Sequence, residues 1–204
     1  MPKLTCKKIW GHLRTVQTHR KWVSRFCRWA GIPWRGLVHD LSKYSPKEFW
    51  ESARYWSGTR SPIEAAKEDK GVSYAWMHHK GRNSHHYEYW MDNFDKGGVA
   101  RMMPEKDFTE MICDMLGASM AYCGNKDHCM FQRCREYWDA HRKRGCAMHK
   151  MNQIMCDIIF SDLAHAEHPE LHNCLTTPTP KEMLKSKYIQ HVWKANSSNA
   201  GNLY

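Results

Sequence analysis

Residues 76–90 read WMHHKGRNSHHYEYW and set two histidine pairs, His78-His79 and His85-His86, on either side of a short basic loop. Imidazoles at this density are raw material for a transition-metal site, because a neutral ring nitrogen is a good ligand for Zn, Mn, Fe or Ni. Taken alone, the stretch reads equally well as a basic loop that meets nucleic-acid phosphates through Lys80, Arg82 and Asn83. Three further features favour metal. An apolar Leu37-Val38 leads into His39-Asp40, with Lys43 behind it. On a helix, neighbouring side chains point about 100° apart, so His39 and Asp40 can grip an ion or ion pair seated against it, and Lys43 shares the face of His39. His19 lies one helix earlier, in a segment that a turn at Gly31 to Pro33 would fold back beside His39. Asp114 sits among Met111, Ile112, Met115 and Leu116, where a carboxylate is costly to bury unless paired or bound to a metal.

Such residues need elements to hold them. Helix signals run almost throughout and no period-2 strand run stands out, so the expected class is all-α. Thr5 to Ala30 reads as one or two helices with Leu13, Val16, Val23 and Phe26 inward, stopped at Gly31-Ile32-Pro33. Ser45-Pro46-Lys47-Glu48 and Ser61-Pro62-Ile63-Glu64 each combine a capping serine, a first-turn proline and a glutamate, and each predicts a helix start. Thr179-Pro180-Lys181-Glu182 is a weaker version that opens a last helix toward Trp193. Pro104 to Tyr122 and Met148 to Ala166 read as long buried helices, joined by a polar one around Gln132 to Arg144. The expectation is a single bundle of about seven or eight helices over residues 1–195, with a motif core at 15–125, supporting helices at 126–195 and a disordered tail at 196–204.

The order His19, His39-Asp40 with Lys43 three after the aspartate, a histidine-rich stretch, then Asp114 resembles the H…HD…H…H…D order of the HD-domain superfamily of metal-dependent enzymes. LVHDLSK is similar to the helix of those domains that ends in HD, and MICDMLGASMAY to the helix carrying their final aspartate. More narrowly, HDLSKYSPKEF together with SPIEAAKEDKGVSYAWMHHKGRNSHHYEYW is similar to an uncharacterised family of small proteins from gut-dwelling Firmicutes and their phages, over residues 15 to about 165. The superfamily resemblance implies an HD-domain-like bundle around one or two divalent transition-metal ions (Mn, Fe, Zn or Ni). It implies His19, His39, Asp40 and Asp114 as ligands of the primary ion, with Asp40 able to bridge to a second. His79, His85 and His86 would complete a dinuclear centre, with His78 as an alternative among them and His12 as a rival to His19. Lys43, with Lys80, Arg82 and Asn83 at the mouth, would hold substrate phosphate, and Glu88, three residues after His85, would orient a ligand imidazole. Asp40, Lys43 and Glu88 are the expected catalytic residues. The activity so implied is hydrolysis of a nucleotide or other phosphoester. Two readings stand beside it: an HD-type diiron oxygenase, and a non-enzymatic basic module that binds nucleic acid or a partner protein.

Bulk properties set outer limits. The formal charge of +10 over 204 residues favours an anionic, phosphate-bearing small molecule as partner and leaves nucleic acid open. No run of about 18 apolar residues occurs, so no membrane partner is expected and the reading is cytoplasmic. Nine scattered cysteines suit reduced thiols, and the spacing of Cys123, Cys129 and Cys134 with His128 matches no common zinc knuckle. The apolar stripe Met148, Met151, Ile154, Met155, Ile158 and Ile159 reads as core or as the contact of a homodimer.

Overall fold

The computed structural model describes residues 2–123, 130–168 and 178–198, and it is an all-α bundle. Helix α1 (Cys6–Trp29) starts at Thr5, whose hydroxyl accepts from the Lys8 amide. It ends in a Schellman motif: Gly31 takes φ +79°, and the amides of Gly31 and Ile32 donate to the carbonyls of Arg28 and Cys27. Pro33 then opens α2 (Pro33–Val38), only six residues long. There follow α3 (Pro46–Tyr55), α4 (Pro62–Lys70), α5 (Tyr74–Lys80), the long α6 (Glu105–Cys123), α7 (Met130–Lys143), α8 (Lys150–Glu167), α9 (Pro180–Lys185) and α10 (Tyr188–Ser197). Between α5 and α6 the chain makes a two-residue hairpin, β1 (Met91–Asp92) against β2 (Val99–Ala100).

The core is one continuous cluster. Val23 and Phe26 of α1 pack with Phe108, Ile112 and Leu116 of α6, and the same cluster runs on to Trp138, Phe160 and Ile189. The segments expected as motif core and as support therefore bury a shared interior. Two contacts draw helices unusually close. A Cβ at Gly117 of α6 would stand 2.4 Å from Val23 Cγ2, and one at Gly36 of α2 would stand 2.6 Å from Cys27 Cβ. Only glycine allows these approaches, which bring α6 and α2 against α1 at the level of the candidate ligands.

Several expectations need correction. Ten α-helical segments occur among the described residues, and two of them, α2 and α9, are only six residues long. Leu13 is only half-buried; Val16, Val23 and Phe26 are buried, as are His12 and His19. Neither Ser45 nor Ser61 makes a side-chain cap, whereas Thr179 and Glu182 form the full capping box. The last helix is two, α9 and α10, divided at Lys187 in the left-handed region (φ +60°). It continues to Ser197, so residues 196 and 197 are helical; the rest of the expected tail from 199, and Cys129 with His128, lie outside the described residues. The Met148–Ile159 stripe divides too: Met148, Met151, Met155 and Ile159 are buried, while Ile154 and Ile158 face solvent.

Candidate metal centre

His39 and Asp40 do not ride on a helix as their sequence context suggested. α2 ends at Val38, and the pair forms the turn that leads into a 3-10 turn at Leu41–Tyr44. Asp40 adopts φ +56°, ψ +25°, a left-handed conformation that aspartate tolerates better than most residues and that still costs about 1 kcal/mol or more. The turn directs the Asp40 carboxylate inward. Arg20 of α1 fastens it from outside by donating to the carbonyls of Leu37 and His39 at 2.9 and 2.7 Å.

Two donor groups meet at that carboxylate. In the first, His19 Nε2 lies 3.2 Å from Asp40 Oδ2 and 2.9 Å from Asp114 Oδ1. His39 Nε2 lies 3.2 and 3.1 Å from the same two oxygens and 3.3 Å from His19 Nε2. Around an ion with bonds of 2.0–2.1 Å, tetrahedral ligand atoms sit about 3.3 Å apart, so these four atoms nearly outline such a shell. In the second group, His79 Nε2 and His85 Nε2 lie 3.2 and 3.5 Å from the other oxygen, Asp40 Oδ1. His86 completes that set, its ring edge-on to Trp76 with centroids 4.7 Å apart. Asp40 thus turns one oxygen to each group.

An outer layer fixes the rings. Glu110 Oε1 accepts from His39 Nδ1 at 2.9 Å and faces His85 Nδ1 at 3.3 Å, so one oxygen holds an imidazole from each group. Its other oxygen accepts from Arg35 Nε at 2.6 Å, and Arg35 also pairs with Asp107. Glu48 holds His79 Nδ1 at 2.8 Å and His78 Nδ1 at 2.7 Å, while Ser42 hydroxyl donates to Glu48 at 3.1 Å. Protons placed on Nδ1 by these carboxylates leave Nε2 as the inward, ligating atom. Asp40 Oδ1 and the Nε2 atoms of His79, His85 and His86 are buried and have no hydrogen-bond partner among the described residues. Buried polar groups are seldom left so. Carboxylate oxygens and ring nitrogens that face one another can hold a cation between them, and imidazole and carboxylate are donors that suit a divalent transition metal.

The acidic and basic groups of the cluster stabilise one another's charges. Burial opposes ionisation of Asp40, yet His39, Lys43 and His79 hold its carboxyl well below the usual range. Burial likewise opposes a charge on His39, and Asp40, Asp114 and Glu110 outweigh it and raise its pKa well above the ordinary value. Glu110 is brought down to about 2, since its bonds to His39 and His85 exceed the cost of burial. Lys43 Nζ sits 2.5 Å from Asp40 Oδ2; despite burial, Asp40 and Asp114 raise its pKa and keep it an ammonium.

The structure brings together His19, His39, Asp40, His79, His85, His86 and Asp114. It leaves His12 outside, two helical turns from His19, buried with its ring 5.2 Å from Phe49. His78 is also outside, because its Nδ1 is taken by Glu48 and its Nε2 accepts from Arg82 at 2.9 Å. Asn83 is turned inward and donates to the His79 carbonyl and Ser42 at 2.7 and 3.1 Å, which makes it a brace rather than a free group at the mouth. Lys80 is half-buried. Glu88 makes no contact with His85 among the described residues, and Glu110 stands in the role assigned to it.

Sequence reasoning missed Glu48, Glu110, Arg35 and Asp107. A signal existed for two of them: Asp107, Glu110 and Asp114 recur at i, i+3 and i+7 and so line one face of α6. Glu48 was hidden in a motif that also reads as a helix cap.

Comparison with curated proteins found no match, and comparison with solved structures found none. A family model does match, over residues 8–163, which take in every residue of the centre. The chain therefore belongs to the family of unknown function DUF5662.

Proposed function

We propose that the protein is a metal-dependent phosphohydrolase whose centre holds two ions, with a nucleotide or other phosphoester as substrate. The observation that carries this reading is the Asp40 carboxylate, with Oδ2 turned to His19 and His39 and Oδ1 to His79 and His85. His19, His39, Asp40 and Asp114 would hold one ion, and Asp40, His79, His85 and His86 the other, in the ligand order of HD-domain enzymes. Bound there, paired ions supply an activated water and offset charge growing on a phosphoryl group. The chain's own part is to position and to balance charge. Glu110 and Glu48 aim the imidazoles, and Trp76 packs edge-on against His86. Lys43, Asp114 and His86 are the partly exposed members of the cluster; Lys43 and Asp114 have 26% and 15% of their side chains accessible, and a phosphate entering on their side would meet the Lys43 ammonium.

The test is elemental analysis of untagged protein beside Asp40→Ala and His86→Ala, followed by a phosphate-release screen over nucleotides and aryl phosphates. About two equivalents of metal in the wild type, lost or reduced in both variants, with phosphate release, is the expected outcome. Two iron equivalents with oxygen uptake and no phosphate release would replace the hydrolase by an oxygenase. Metal-free samples after reconstitution would end the metal reading.

A further inference from the structure

The formal charge of +10 lies wholly in the first 47 residues. Eleven lysines and arginines stand there against one acid, Asp40, while residues 48–204 hold twenty of each sign. α1 carries much of the excess in an ordered way. From Lys7 onward its exposed positions are Lys7, Trp10, Arg14, Gln17, Lys21, Arg25 and Arg28. Spacings of three and four put them on one face, about 30 Å long, opposite the buried face that bears His12 and His19. Among the described residues, none of its five cations is paired with an acid, although Arg25 also stacks on Trp22 at 4.5 Å. α2 lies along the flank of this ridge: Gly36 packs on Ser24, and Arg20 binds the Leu37 and His39 carbonyls. From that flank project Trp34, Leu37, Val38 and Leu41, exposed by 71, 58, 41 and 53%.

One partner covers both features. Nucleic acid would neutralise the ridge but leave three aliphatic side chains in water. A second copy of the chain would set ridge against ridge. A lipid surface with anionic headgroups above an apolar layer meets cations and aliphatics together. We propose that the outer face of α1 and the Trp34–Leu41 segment dock the protein onto an anionic bilayer surface, lying on it rather than crossing it. Among the described residues no helix is long and apolar enough to cross a membrane, and a surface-lying helix requires none. The expectation of no membrane partner considered spanning segments alone.

The test is co-sedimentation of the full chain with vesicles of phosphatidylcholine alone or mixed three to one with phosphatidylglycerol, beside a gel-shift assay with a short DNA duplex. The wild type should bind only the anionic vesicles, and high salt should weaken that binding. Removing three cations together, as Lys21→Gln, Arg25→Gln and Arg28→Gln, should weaken it on the order of a hundredfold. Trp34→Ser with Leu37→Ser should weaken it about tenfold or more. Both variants substitute exposed side chains, and unchanged thermal melting would show that each is folded. Equal binding to neutral and anionic vesicles, vesicle binding that either folded variant retains in full, or duplex binding without vesicle binding would each overturn the proposal, the last in favour of nucleic acid.

Discussion

Glu110 shows how much a single carboxylate can set. It holds imidazoles from both donor groups through one oxygen and Arg35 through the other. Glu110→Gln keeps the shape and removes the charge that fixes those rings, so metal affinity should fall roughly 10- to 100-fold in competition with a chromogenic chelator. The same change at Glu88, which belongs to neither donor group, should leave affinity within about twofold; similar losses at the two positions would contradict the assignment. His12 offers a residue-scale prediction about pH. Burial, helped by Lys43, pushes its pKa from 6.5 down to about 4. The folded state then takes up its proton less readily than the unfolded chain. This contribution is intact above about pH 6.5 and is lost as pH falls toward 4, reaching roughly 2 kcal/mol of lost stability at about pH 5. Urea melts at neutral pH and near pH 5 should show a smaller acid loss in His12→Gln than in the wild type; identical losses would contradict it.

Among the elements, the crossing of α1 and α6 decides whether the first donor group exists. Gly117 lies three residues after Asp114 and touches Val23, four residues after His19, so the contact that excludes a side chain also sets the distance between two ligands. In a solvated helix Gly→Ala would gain about 1 kcal/mol. Here the new Cβ would also stand 3.1 Å from the Val23 backbone nitrogen, a contact no rotamer change relieves. Gly117→Ala should therefore destabilise the fold by about 1–3 kcal/mol and lower bound metal, as read by urea unfolding and elemental analysis; a gain in stability would show that the helices can part freely. The hairpin after α5 acts on the second group. Trp90 Nε1 donates to the Ser84 carbonyl at 2.7 Å, and Ser84 bonds Asp107 on α6, which ties the segment carrying His85 and His86 to the helix that carries Glu110.

For the whole molecule, the proposed ions are cross-links. Their ligands come from α1, the turn after α2, α5, the loop beyond it and α6, segments that only folding assembles. An ion bound at about a thousand times its Kd would add about 4 kcal/mol, so stripping it with a chelator should lower Tm on the order of 10 °C for a chain of this size. Asp40→Ala, lacking the shared ligand, should melt at the same temperature with or without chelator. A wild-type Tm indifferent to chelator would mean that ions do not join these segments. Charge is also a whole-molecule property: neutral over residues 48–204 and basic over the first 47, it gives the surface a polarity that the total of +10 conceals.

The helical class and most helix ends were legible in the sequence, because 3.6-residue apolar spacing, first-turn prolines and Gly31 act locally. Of the seven clustered donors, Asp114 stands out because a carboxylate in an apolar run is costly without a partner, whereas the HD-like order of His19, His39-Asp40 and the histidine pairs points to the others, with His12 and His78 left as rivals. What only the tertiary structure decided was pairing. Which imidazole faces which oxygen depends on the left-handed turn at Asp40, the glycine contacts at positions 36 and 117, and the folding of residues 81–104 back onto α6. His78 and His79 are adjacent in sequence, yet one spends both nitrogens on Glu48 and Arg82 while the other turns Nε2 to Asp40. Glu48 and Glu110 escaped notice for the same reason: a carboxylate on a helix acquires its role from whatever the fold lays against it, here imidazoles 31 and 71 residues away along the chain.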